Sequence, residues 1–279
     1  RQTMLNKLIQ TRKPLHHDAL PFVLMWSQKA GCTAILRWFL YHANELAIAE
    51  QYQSEGDGLD IHDYERNVLK KRTGYDDELV KKLTAGTSSI QFLRCPYARA
   101  FSSYTHIHSR FFIRFTQEGK TTPGMEVRKA ILRQLYGSDE CIEYTFSFLD
   151  YLQWLHKQQI DSIEIHHRPQ ITAIHTIVEP RYYRLEDFDA AAASIEREFG
   201  LSSSARQNTS FTAGHHIPKK TVPDPVALKL LTTGIPLSRS PAFAIPKVDR
   251  HMLIGTVFGD LIQDIFGRDT AVYDSIAPL

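Results

Sequence analysis

The stretch FVLMWSQKAGCTAILRWFL, residues 22–40, decides how the chain is read. Its apolar run 22–26 has the make-up of a buried strand. Gly31 marks a tight turn, and Ile35, Leu36, Phe39, Leu40 and Ala43 then recur at helical spacing. A strand, a turn and a helix opening at Thr33 form a socket for phosphate or sulfate. The N–H groups of the first helical turn point at the anion, and the helix dipole favours negative charge there. Gly31 lets the backbone approach closely, and Lys29 adds a mobile positive charge. The common nucleotide loop, G-x-x-x-x-G-K-[ST], carries its lysine after the second glycine. Here Lys29 precedes Gly31 and no earlier glycine closes the loop, which weakens an ATPase or kinase reading. Taken alone, the stretch fits an ordinary strand-to-helix turn with one surface lysine equally well.

A second stretch, IQFLRCPYARAFSSY at 90–104, breaks the tie. A short apolar strand again ends in a charged residue and a proline, and a helix follows. Pro96 suits the first turn of that helix, where a missing N–H costs nothing. Arg94 stands at the strand end, and Ser102 lies two turns into the helix. A guanidinium offers a fork that fits phosphate oxygens, and a nearby hydroxyl adds a donor.

Together the two stretches resemble the sulfotransferases that use 3′-phosphoadenosine 5′-phosphosulfate (PAPS), in the branch of Golgi-type carbohydrate sulfotransferases and their bacterial relatives. Lys29, Ala30, Gly31, Cys32 and Thr33 look like the family's 5′-phosphosulfate loop. Residues 94–104 look like its 3′-phosphate motif, R-x-P-x-x-R-x-x-S-x-Y, with Arg94 and Ser102 as the phosphate-reading positions. A third match, His166-His167-Arg168-Pro169-Gln170, is similar to the family's H-W-R-P-Q, with His167 in place of the usual Trp. The resemblance spans roughly residues 20 to 200. It implies PAPS as donor, PAP (3′-phosphoadenosine 5′-phosphate) as product, no metal, and a carbohydrate or glycoconjugate hydroxyl as acceptor.

The totals agree with a soluble globular protein. A chain of 279 residues buries a substantial core. With 43% hydrophobic and 23% charged residues, it is neither disordered nor fibrous. A net charge of +2 gives no global argument for nucleic-acid binding, and no apolar run reaches the length of a membrane span. Thirteen histidines include the pairs at 16–17, 166–167 and 215–216. The three cysteines are read as reduced and Cys32 and Cys95 as packing residues, which points to bacterial cytosol. A truncated Golgi-luminal domain is the alternative, because the chain starts at Arg1 and a leader or anchor removed upstream is allowed. Asn208-Thr209-Ser210 fits a glycosylation sequon that chance also produces.

In chain order, the pattern predicts a short helix at 3–10 and the strand, loop and helix running to about residue 50. A loop at 51–63 and a helical region at 64–83, broken near Gly74, come next. Lys70, Lys71, Arg72, Lys81 and Lys82 read as solvated helix faces. A strand at 90–93 leads to a helix at 97–112, whose core stripe is Tyr97, Phe101, Tyr104 and Phe111, with Arg99 on its surface. Helices at 125–136 and 147–158 form an insertion taken as part of the acceptor wall. Strands are expected at 162–165, 174–178 and 182–185, and a helix at 186–199 stopped by Gly200. The irregular segment 201–246 reads as a lid or linker, and 249–266 returns to helical spacing. The expected architecture is α/β: a mostly parallel central sheet flanked by helices, a P-loop-like sulfotransferase fold with helical insertions. One domain is expected to cover 1–279, with its core at 20–200, the irregular segment at 201–246 and the C-terminal helix at 247–279. Ligands of such sheets sit at the carboxyl ends of the strands, where both anion motifs fall.

The implied chemistry is in-line transfer of a sulfuryl group. Lys29 would neutralise charge on the bridging oxygen, and the N–H groups of 31–33 would hold other oxygens. An acceptor hydroxyl needs a base, for which His62, His166 and His106 compete, with His108 facing elsewhere. For each histidine alone a structural role is the stronger reading. Glu65 is placed to substitute for His62 or to orient it. Arg168 suits an anionic acceptor group or a structural ion pair. No metal-ligand spacing is evident. Two other readings stay open: a kinase-like phosphotransferase with a degenerate loop, and a non-catalytic PAP-binding protein of the same fold.

Overall fold

Strand β1, Phe22–Met25, is buried at every position, because helices or neighbouring strands leave neither of its faces to water. It pairs in parallel with β2, Ser88–Leu93, in the register Met25 opposite Gln91. β2 pairs in parallel with β3, Arg181–Arg184, in the register Leu93 opposite Arg184. The sheet order is therefore β1-β2-β3, and all three carboxyl ends lie along one edge. The computed structural model describes residues 2–56, 59–107, 121–140, 144–206, 211, 219–220, 229, 231–233 and 245–279. Among them the fold is α/β, with a small parallel sheet flanked by helices.

The described chain forms two compact units. The first comprises 1–94, 170–215 and 273–279 and carries the three-stranded sheet; the second comprises 95–169 and 216–272.

In the first unit, helix α1 spans Gln2–Leu8, α2 Cys32–His42, α3 Leu46–Ser54, α4 Ile61–Asn67 and α5 Tyr75–Thr84. Trp38 of α2 sits at the centre of the core, fully buried. It stacks on Phe22 with ring centroids 5.9 Å apart and meets Phe92 edge-on at 6.1 Å. Its indole N–H donates to the buried Glu196 carboxylate at 2.9 Å, and that carboxylate also takes the His42 imidazole at 2.9 Å and the Ser204 backbone N–H at 3.1 Å. An apolar core thus surrounds one carboxylate whose donors satisfy it, the condition under which a buried charge is tolerated.

In the second unit, α6 spans Pro96–Ile107, α7 Pro123–Tyr136 and α8 Phe148–His156. Tyr97, Phe101 and Tyr104 are buried as the helical stripe predicts, and Phe111 lies outside the described residues. Phe101 meets Phe148 edge-on at 5.4 Å, and Phe148 stacks on Phe258 at 5.8 Å.

Several expected boundaries move. The helix foreseen up to residue 50 breaks at Asn44, which takes a left-handed φ of 58°, so α2 and α3 are separate. Of the loop foreseen at 51–63, residues 51–54 belong to α3 and 61–63 to α4. Asp60 caps α4 by accepting from the N–H groups of His62 and Asp63, while the Asp63 carboxylate accepts from the Asp60 N–H. Residues 162–165 are turns, and 174–178 is not a strand: Ala173–Thr176 forms a 3₁₀ turn. Arg181–Arg184 is a strand near its predicted place, followed by a 3₁₀ turn at Leu185–Asp187 and helix α9, Phe188–Phe199, which ends at left-handed Gly200. Most of 201–246 and the sequon lie outside the described residues; two-residue strands β4, Lys219–Lys220, and β5, Ile245–Pro246, pair in parallel. The predicted C-terminal helix is two, α10 at Arg250–Leu253 and α11 at Val257–Ser275.

Candidate functional site

The turn between β1 and α2 is unusual in its backbone. Lys29 has φ of 63° and Gly31 φ of 70°, two left-handed residues separated by the buried Ala30. Such a conformation is costly for lysine and marks a backbone held by its surroundings. Gly31 is needed twice over: for its positive φ, and because a Cβ there would lie 2.5 Å from Leu185 Cδ1. Helix α2 opens at Cys32, one residue earlier than expected, and no side chain caps it. Its first N–H groups are therefore left without a side-chain cap, at the carboxyl end of β1.

Arg94 follows the last residue of β2, beside this turn. Its Nη1 donates to the Lys29 carbonyl at 2.9 Å. The two sequence motifs thus meet at neighbouring parallel strand ends. Gln170 fixes the position. Its side chain accepts from the Arg94 N–H at 3.0 Å and donates to the Arg94 carbonyl at 2.9 Å, like an extra strand at the edge. Its own carbonyl accepts from Gln91 Nε2 at 3.3 Å, and it is fully buried. Sequence reasoning grouped Gln170 with a catalytic motif. Its positioning role arises across 76 residues, which no local pattern shows.

His62 of α4 stands over the same turn. Its Nε2 lies 3.2 Å from Thr33 Oγ1, and its Nδ1 lies 2.9 Å from the buried Glu65 carboxylate. Glu65 is in turn paired with Lys70, whose ammonium sits 4.9 Å from the centre of the Trp26 ring, and Trp26 stacks on His62 at 5.8 Å. Burial opposes a charge on His62, but the hydrogen bonds to Cys32 and Glu65 outweigh it and raise the imidazole to about 10. Burial alone would push the Cys32 thiol up; the His62 bond and charge, with Lys29, bring it below the ordinary value. Glu65 is likewise lowered: burial works against its charge, and Lys70 and His62 more than offset it. Glu65 orients His62, as the sequence allowed. One expectation fails here. Lys70 is mostly covered, with 12% of its side chain exposed, rather than solvated. The i, i+3 spacing of His62 and Glu65 was the available signal.

The other candidates belong to the second unit. Ser102 is half-buried on α6. His106, one turn on, stacks on His166 with centroids 4.5 Å apart, so two proposed bases come together. His166 Nδ1 lies 2.7 Å from Glu164, whose carboxylate is held below its usual range: burial would raise it, and the two histidines outweigh that. His167 is fully buried with Nδ1 2.8 Å from the Tyr151 hydroxyl; it fills core space in place of the expected Trp. Arg168 donates to the carbonyls of Ile163 and Ser162. Arg99, expected on the helix surface, is 1% exposed, because α6 packs on more of its circumference than a single stripe. His108 and Cys141 lie outside the described residues. Cys32 and Cys95 are free thiols.

Among the described residues no group of three or more His, Cys, Asp or Glu is arranged to hold a metal, and no helix is long and apolar enough to cross a membrane. No family model matches the chain, and no curated protein or solved structure matches it.

Proposed function

We propose that the protein is a PAPS-dependent sulfotransferase that transfers a sulfuryl group to a hydroxyl of a carbohydrate or glycoconjugate. The observation that carries this is the 2.9 Å bond from the Arg94 guanidinium to the Lys29 carbonyl. It brings a strand-end arginine next to an uncapped helix N-terminus, the two anion-holding elements that a nucleotide with phosphates at its 3′ and 5′ positions requires. In this reading the N–H groups at 31–33 hold the 5′-phosphosulfate and Lys29 neutralises the leaving oxygen. Arg94 reads the 3′-phosphate.

His62 enters with its proton on. Held near 10, it supports anion binding at the loop and serves as a base only after the array around it is broken. The carbohydrate acceptor rests on the motif resemblance and not on a described pocket.

The test is a transfer assay with sulfur-labelled PAPS against a panel of glycans, lipids and small alcohols, alongside calorimetry with PAP and AMP. Transfer to a glycan, with PAP binding at least tenfold tighter than AMP, is the expected result. Equal binding of the two nucleotides sinks the 3′-phosphate assignment, and transfer of phosphate from ATP would favour the kinase-like reading.

A further inference from the structure

We propose that the cavity between the segment 16–18 and the start of α5 binds a small free primary amine in its ammonium form. This stands apart from the sulfotransferase reading, since it uses none of the residues of the turn between β1 and α2.

The cavity has a volume of about 120 Å³. It is lined by His16, His17 and Asp18 from the segment ahead of β1, and by Arg72, Thr73 and Glu78 from around the start of α5. The first of these walls is held in place, because Leu15 exchanges two 2.8 Å backbone hydrogen bonds with Leu24 of β1.

His16 is the group that calls for a ligand. It is 5% exposed. Its backbone N–H donates to the Tyr75 hydroxyl at 3.2 Å, and its Nε2 lies 2.9 Å from the Tyr75 carbonyl. A carbonyl only accepts, so Nε2 carries the hydrogen and Nδ1 keeps a bare lone pair. That Nδ1 is buried and meets no hydrogen-bond partner among the described residues. Burial holds the ring below its ordinary pKa of 6.5, so it stays a neutral acceptor at neutral pH. A buried acceptor without a donor is rare and costly. A donor carried into the adjoining cavity completes it.

The charges around the cavity select that donor. Asp18 and Glu78 are carboxylates with 92% and 50% of their side chains exposed, and the field of each reaches His16. The cations nearby are engaged. Arg72 pairs with Glu45 at 2.6 Å, and Lys82 donates to the His17 carbonyl at 3.2 Å. Lys82 also stands 4.0 Å from Asp18, and Lys81 3.5 Å from Glu78. His17 is engaged at both nitrogens: Nε2 lies 3.0 Å from Glu45, and Nδ1 accepts from the Ala19 N–H at 3.1 Å. An anion entering the cavity meets two carboxylates. A primary ammonium brings three N–H donors, one for Nδ1 and two for the carboxylates. The volume equals that of about four waters, which limits the ligand to about four or five heavy atoms.

The experiment titrates the intact protein with ethanolamine, followed by calorimetry and by nitrogen NMR of the His16 ring. Ethylene glycol, as large but uncharged, and choline, equally charged but without N–H donors, are the controls. Ethanolamine should saturate with a Kd of about 1 mM or below and move the Nδ1 resonance, and both controls should bind at least tenfold more weakly. His16→Leu should weaken ethanolamine at least tenfold. If that variant fails to fold, Asp18→Asn combined with Glu78→Gln, both at exposed side chains, should weaken it as much. Lack of saturation by about 20 mM ethanolamine overturns the proposal. So does an Nδ1 resonance that stays in place, equal binding of choline, or wild-type affinity in the double variant.

Discussion

Gln170→Ala tests whether the end of β2 is held in place from across the chain. The variant removes the acceptor for the part-buried Arg94 N–H, a 3.0 Å bond, and the donor to the Arg94 carbonyl, a 2.9 Å bond. A buried N–H left without a partner costs about 1–3 kcal/mol, and the carbonyl about 1 kcal/mol more. The sum is about 3 kcal/mol. At roughly 2–4 °C per kcal/mol for a chain of this size, Tm should fall by about 6–12 °C. The functional loss should exceed what stability alone explains, because Arg94 also grips the Lys29 carbonyl. Loosening that grip by half of a charge-assisted bond, about 1.4 kcal/mol, weakens PAP binding about tenfold. Gln170→Glu keeps the volume and the acceptor but turns a carboxylate oxygen toward the Arg94 carbonyl, so its loss isolates hydrogen bonding from packing. Scanning fluorimetry and PAP calorimetry on both variants decide the matter. Melting within about 1 °C of wild type for both would refute the positioning role.

Lys29→Ala should lower kcat about 100-fold while changing PAPS binding less than threefold; a pure loss of affinity would make Lys29 a binding residue only. Saturating PAP, at about 100 times its Kd, should raise Tm by about 5 °C or more, against little for equal AMP. Acid stability should follow two groups of the Trp38 cluster. Burial holds His42 below 6.5, so the fold resists its protonation and loses stability as pH falls below that value. Glu196 lies below its ordinary 4.5: burial would raise it, but bonds from Ser204, Trp38 and His42 outweigh that. Its contribution is therefore present above 4.5 and lost as pH falls through the lower folded value. Tm measured from pH 7 to 3 should drop in two stages, and Glu196→Gln should flatten the second; parallel curves for the two proteins would contradict the assignment.

Much of the frame was legible in the sequence where pattern and turn chemistry agreed. The run at 22–26 and Gly31 located β1, the turn and the start of α2 to within a residue, because a buried parallel strand and a left-handed glycine leave strong local marks. The apolar residues at 174–178 misled, since Ile174 and Val178 are buried from a 3₁₀ turn as readily as from a strand. There His175 Nε2 bonds Gln91 Oε1 at 2.6 Å, a contact across 84 residues. The Asp60–Asp63 capping box was written in the sequence and passed over, which turned the start of α4 into loop. The histidines resisted reading for a different reason. What distinguishes His62 is its partners, Cys32, Thr33 and Glu65, and two of those come from another helix.

The chain leaves the first unit after Arg94 and returns to it at Gln170, and the side chain at the return point is bonded to the backbone at the exit. Residues 95–169 are therefore an excursion whose two ends are stapled at one spot. A closed excursion of this kind feels changes in its own length only weakly, since closure entropy grows slowly with loop size. Its helices can be lengthened, exchanged or reshaped over evolutionary time while the turn between β1 and α2 keeps its form. The same staple gives protein engineers a natural pair of splice points, one at each end.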